Sequence, residues 1–144
     1  MSTVREIIAR KGSEIVTVTP ASNVLDAAQL MNERGIGAVL VMEGGELLGI
    51  FTERDVMRRV VATQRDPATT PVREVMTTSL ITTRAEAPLE ECAALMTSRR
   101  IRHLPVMGAQ GLSGVVTTGD LMAFQVADQA STIAQLNSYV FDNR

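Results

Sequence analysis

Two seven-residue stretches carry the side chains best suited to chemistry. The first is Gly49-Ile50-Phe51-Thr52-Glu53-Arg54-Asp55 and the second is Gly114-Val115-Val116-Thr117-Thr118-Gly119-Asp120. In each, a glycine opens a short run and Thr-x-x-Asp follows. A threonine at a helix N-cap with an acidic residue three positions on is close to a capping box, where hydroxyl and carboxylate satisfy free backbone N–H groups. Such a cap stabilises a helix by about 1 kcal/mol. The same geometry suits a ligand. A helix N-terminus presents N–H groups and a positive dipole end to phosphate, and a carboxylate there accepts hydrogen bonds from the two hydroxyls of a ribose. The threonine adds a hydroxyl beside a sugar or phosphate oxygen. On these residues alone, helix punctuation and binding site both stand.

Few other side chains could react. His103 is the only histidine. Catalysis by it needs a nucleophile and an orienting acid, and no such set is visible, so a hydrogen-bonding or phosphate-facing role is expected. Cys92 is the only cysteine, which excludes an internal disulfide. One Cys and one His cannot form a Cys/His metal set within the chain. Cys92 lies beside Ala93, Ala94 and Leu95 and reads as a buried structural thiol. Met31, Met57, Met96 and Met122 read as core, and Arg58-Arg59 as a solvated helix face.

Something must position the two turns, and the chain supplies it by repeating itself. A shift of 65 residues lays 17–57 on 82–122 without a gap, pairing Thr17 with Thr82, Leu30 with Leu95, Met31 with Met96, Gly49 with Gly114, Thr52 with Thr117 and Asp55 with Asp120. Ahead of this block, Val4-Arg5-Glu6-Ile7 matches Val72-Arg73-Glu74-Val75 at a shift of 68, so copy one holds about three extra residues near 10–13. The organisation follows: copy one over 4–62, a polar linker over 63–71, copy two over 72–127, and a tail over 128–144. Each copy reads β-α-β-β-α. In copy one the pattern predicts a strand over 15–19 and an Asn23-capped helix ended by Arg34-Gly35. A strand over 38–42, a hairpin turn over 43–46, a strand over 47–51 and a helix over 53–62 complete it. Copy two repeats this with strands over 80–83, 103–107 and 112–116 and helices over 88–100 and 118–127. In the tail, Ile133, Leu136, Val140 and Phe141 are spaced as one apolar helix face, to pack on the module or across a dimer.

The expected fold class is α/β, with two small sheets related by a pseudo-two-fold. A single copy of about 60 residues is marginal alone, and its strands are apolar on both faces. Packing the sheets back to back buries those faces and leaves clefts between the copies. Bulk properties agree. The 144 residues are 45% hydrophobic and 21% charged, with a formal net charge of −2 and a pI near 5.4. Aromatic residues are 3%. Nucleic-acid binders show a basic excess or stacking aromatics, and neither is present. No signal peptide or membrane span is legible, so a cytoplasmic protein is expected.

With the G-x-x-T-x-x-D turns and the run Arg102-His103-Leu104-Pro105-Val106, the repeat resembles the CBS domain over residues 4–127. The resemblance implies a tandem pair, or Bateman module, of the stand-alone bacterial type. It implies a non-enzymatic regulatory role, with adenosine-containing ligands (AMP, NAD(H), ADP, ATP or S-adenosylmethionine) bound between the copies and dimerisation into a flat disk. In one cleft Asp120 would hold the ribose, Thr117 would sit beside the ribose-phosphate, and Val115 would pack on adenine. Ile36, Gly37 and the strand 13–16, including Val16, would close the base pocket, with Arg102 and His103 facing phosphate. In the other cleft Asp55, Thr52 and Ile50 would take these roles, with Ile101, Arg102 and the strand 78–81, including Ile81. Arg54 would offer phosphate a planar fork. Copy one has Gly37-Ala38 where copy two has Arg102-His103, and Arg54 where copy two has Gly119, a residue open to close backbone approach. Unequal clefts are therefore expected. The alternative is a ligand-free protein–protein interaction or dimerisation module.

Overall fold

Two glycines make the first hairpin. Gly44 and Gly45 both take left-handed backbone, with φ of 59° and 80°, as a two-residue turn that follows strand twist requires. The turn joins β2 (Ala38–Glu43) to antiparallel β3 (Glu46–Thr52). β1 (Thr17–Val18) pairs in parallel with β2, giving the order β1-β2-β3. Copy two builds β4 (Thr83–Arg84), β5 (His103–Gly108) and β6 (Gly111–Thr117) in the same order. The registers match as well: Ala38 lies opposite Thr52, and His103 opposite Thr117. The structure, a computed structural model, describes residues 2–12 and 14–142, and all of their side chains except 131 and 138–142. Ser13, and the side chains of Val140 and Phe141, thus lie outside the described residues.

The helices follow the pattern with three corrections. α2 (Val24–Arg34) starts where Asn23 accepts a 2.8 Å hydrogen bond from the Asp26 N–H, and it stops at left-handed Gly35. α4 (Leu89–Arg99) ends instead on left-handed Arg100, with φ 55°, which costs about 1 kcal/mol for a residue with a Cβ. The first correction is at the N-terminus, where Val4–Lys11 forms a helix, α1, that the β-α-β-β-α reading lacks; its counterpart Val72–Glu74 makes only a 3₁₀ turn. The second is the helix expected over 53–62. α3 (Glu53–Asp55) lasts one turn and widens into π-turns over Val56–Val61, where bonds run five residues back, as from Ala62 N–H to Met57 O at 2.9 Å. The third is the tail, which continues without a break as α5 (Thr118–Asp142). The outer strands are also shorter than the spans 15–19 and 80–83.

Two hydrophobic cores form, and each borrows from the other copy. Val24, Ala27, Met31, Val39, Val41 and Phe51 of copy one close around Val72 and Val75. Leu89, Cys92, Met96, Leu104, Val106 and Val116 of copy two close around Val4 and Ile7. Matching backbone ties hold the exchange. Val4 N–H bonds to Ala87 O, while Val72 N–H bonds to Ser22 O. The opposite faces of the sheets meet through β3 and β6, burying Leu40, Ile50 and Pro105 outside both cores. The back-to-back pairing expected from doubly apolar strands is therefore present. Met31 and Met96 are core, but Met57 and Met122 are not: they stand 56% and 65% exposed, on the outer faces of the helices that follow each turn. Ile133 and Leu136 are exposed too, so the tail does not pack on its own module there.

The first glycine of each turn lies where an exchanged segment crosses a sheet. A Cβ on Gly49 would meet Met76 Sδ at 2.7 Å and the backbone Thr77 O at 2.9 Å, whereas one on Gly114 would meet Ile8 Cδ1 at 2.8 Å. The tip of Ile8 can rotate away; a backbone carbonyl in a paired bridge cannot. We therefore expect Gly49→Ala to destabilise the fold by about 1–3 kcal/mol and Gly114→Ala by less, as measured by urea unfolding.

Candidate functional site

Both Thr-x-x-Asp turns form the cap the sequence suggests. Thr52 N–H donates to Asp55 Oδ2 at 3.0 Å and Asp55 N–H to Thr52 Oγ1 at 3.2 Å. In copy two, Thr117 N–H donates to Asp120 Oδ2 at 2.9 Å and Asp120 N–H to Thr117 Oγ1 at 3.0 Å. The next N–H in each turn is also used. Glu53 N–H bonds to Gly37 O and Thr118 N–H to Arg102 O, both at 3.0 Å. These bonds tie the loop before each hairpin to the start of the helix after it, so each turn faces the loop ahead of β2 or β5.

Two cavities open at these turns. One of about 440 Å³ is lined by Asp120, Thr117 and Val115 of copy two and by Val16, Ile36, Gly37 and Ala38 of copy one. One of about 350 Å³ is lined by Asp55, Thr52, Ile50 and Arg54 of copy one and by Ile101 of copy two. Arg102 and His103 line both, and so do Gly37, Ile50 and Glu53, which makes these five residues a shared wall. Two candidates fall elsewhere. Ile81 packs against the copy-two core, because β4 starts at Thr83, three residues later than expected; Thr77 takes its place at the smaller cavity. Gly119 lines neither cavity, and a Cβ there would make only an ordinary 3.6 Å contact with Thr117 Oγ1. Glu14 and Ile15, within the expected strand 13–16, line the larger cavity beside Val16, and Lys11 joins them. Lys11 lies in the short stretch where the copies do not align, and the repeat pattern gave no sign of it.

The two carboxylates are not equivalent. Asp55 is 7% exposed and saturated: Thr52 Oγ1 donates to Oδ2, Thr77 Oγ1 lies 3.1 and 3.3 Å from its two oxygens, and Arg59 Nε is 3.8 Å from Oδ1. Arg59 also donates to Met76 O at 2.8 Å, so the solvated face expected of Arg58-Arg59 does not hold for Arg59. Asp120 is 22% exposed and meets Lys11 Nζ at 2.7 Å. Arg54 reaches across the smaller cavity to Arg100 O at 3.0 Å. Among the described residues, no group of three His, Cys, Asp or Glu could hold a metal ion. Cys92 is buried, and burial raises its thiol above the ordinary range despite a hydrogen bond with Thr83.

Set against known proteins, the CBS domain family matches residues 4–62 and 72–127. The chain belongs to the CBS domain family. This tandem CBS pair is 36% identical over 137 residues to the CBS domain-containing protein YhcV of Bacillus subtilis, covering 95% of each chain. Its fold matches a CBS-domain protein from Burkholderia ambifaria MC40-6 with a TM-score of 0.85 at 43% identity, over 89% of this chain and 96% of that one. The CBS pair of protein MJ0100 shares the fold with a TM-score of 0.79 over 89% and 98% of the two chains at 22% identity; that structure holds 5′-methylthioadenosine and S-adenosyl-L-methionine. No helix among the described residues is long and apolar enough to cross a membrane.

Burial lowers the His103 pKa from 6.5; Lys11 and Arg102 lower it further, while Glu53 and Asp120 oppose the shift. The folded chain therefore binds fewer protons than the unfolded one just below that value, and stability falls as pH drops through it. We expect the urea midpoint to fall between about pH 7.5 and about pH 5.5, and His103→Gln to flatten that fall.

Proposed function

We propose that this CBS pair is a non-enzymatic, cytoplasmic regulatory module that binds an adenosine-containing nucleotide, AMP foremost, in the Asp120 cavity. NAD(H), ADP and ATP share the adenosine unit and are the other candidates. The observation that carries this reading is one cavity uniting three features: a ribose-type carboxylate on a capped turn, aliphatic walls from Val16, Ile36 and Val115, and Arg102. Its volume falls within the range of small-molecule sites. Asp55 is the weaker ribose ligand because its oxygens already serve Thr52 and Thr77. Ligand binding shifts the module between states in proportion to its differential affinity for them, and a partner protein reads the outcome.

The same reading includes a homodimer. Met57 and Val61 are exposed four residues apart, and so are their repeat equivalents Met122 and Val126. A pseudo-two-fold pair of matching apolar stripes suits a second copy of the chain, since an isologous interface uses one patch twice. Ile133 and Leu136 extend the stripe along α5.

Two measurements test this. AMP should raise the melting temperature in step with the logarithm of its concentration above Kd, adding about 2.7 kcal/mol of stability at about 100 times Kd. Asp120→Ala should abolish the response, while Asp55→Ala melts lower and keeps it. A flat response to AMP, ADP, ATP, NAD(H) and S-adenosylmethionine refutes the reading. In light scattering, Met122→Glu combined with Val126→Glu should convert a dimer to a monomer; an unchanged mass refutes this interface.

A further inference from the structure

The larger cavity contains a charge that belongs to neither repeated turn. Lys11 is the last residue of α1, a helix of copy one that packs on β6 and α5 of copy two. Its Nζ donates to Asp120 Oδ2 at 2.7 Å and to Val115 O at 2.9 Å. Oδ2 also accepts the Thr117 N–H, while Oδ1 accepts no bond among the described residues. A vicinal diol grips a carboxylate through both oxygens. The ammonium and a ribose therefore compete for Oδ2.

We propose that Lys11 is the stopper and charge selector of this cavity, admitting 5′-phosphorylated adenosine in preference to adenosine. This inference rests on the nucleotide reading above. The charged residues lining the cavity are Lys11 and Arg102 against Glu14, Glu53 and Asp120, and Glu14 is held by Arg34 at 2.6 Å. The remaining four balance. A ribose that takes Asp120 displaces Lys11, and the freed ammonium needs an anion. A 5′-phosphate brings one with the sugar; a nucleoside brings none. Arg10 stacks on Phe124 at 4.6 Å and pins the end of α1 to α5, so the Lys11 side chain swings while its backbone stays. Lysine suits this role because its ammonium is a compact point charge on a flexible stem.

The test is calorimetric titration of AMP and adenosine into the full chain, its Lys11→Met and Lys11→Gln variants, and Lys11→Arg. The wild type should favour AMP over adenosine by about tenfold or more, the scale of one charge-assisted bond. Lys11→Met and Lys11→Gln should weaken AMP about tenfold while adenosine binds as well or better, and Lys11→Arg should keep the preference. An unchanged AMP-to-adenosine ratio in both neutral variants, with both ligands still bound, overturns the role of Lys11 and leaves the nucleotide reading standing. A wild type that binds neither ligand overturns both.

Discussion

The exchange of leading segments is the constraint on which the rest depends. Val4 and Ile7 complete the core of copy two, and Val72 and Val75 complete that of copy one. Neither copy closes its core from its own residues, so the two are one folding unit despite the repeat. The exchange also fixes where the cavities lie. It brings the end of α1 to the Asp120 turn and the segment around Thr77 to the Asp55 turn. Each site is thus walled by its own turn, the opposite loop and the segment that crosses over.

That arrangement explains how equivalent turns come to differ in chemistry. The two capping boxes are nearly superposable in their hydrogen bonds. What differs is the crossing segment laid against each. A threonine hydroxyl, with Arg59 nearby, locks Asp55 into the fold. A lysine on a half-open side chain leaves Asp120 able to change partners. Inequality was legible from Gly37-Ala38 against Arg102-His103, but Gly37, Arg102 and His103 line a wall common to both cavities. The residues that separate the two carboxylates lie outside the seven-residue motifs.

Periodicity and repetition made most of the fold readable. The hairpins, α2, α4 and the facing sheets follow from strands apolar on both faces, apolar helix spacing, Asn23, Gly35 and the Gly44-Gly45 turn. Reading failed where tertiary context decides. Val4–Lys11 is short and gains its helix from packing against the other copy, which no local pattern records. The register of backbone bonds in Val56–Val61 is likewise invisible in its apolar spacing. Met57 and Met122 repeat in step with the core methionines, but repetition preserves a face whether it turns inward or outward. At the site, fourteen of the sixteen candidate residues line a cavity, all but Ile81 and Gly119; thirteen of these needed only the motif and its opposite loop, and Val16 needed the strand before β1 as well. Lys11 escaped because the alignment of the copies breaks at that point.

The five residues common to both cavities have a further consequence. A side chain that lines both cavities cannot move for one guest without presenting a changed face to the other. Two guests seated together would feel each other through Arg102 and His103, and thermodynamics requires that influence to be equal in both directions. Such a partition would make the filling of one side depend on the filling of the other, where two separate vessels would fill independently.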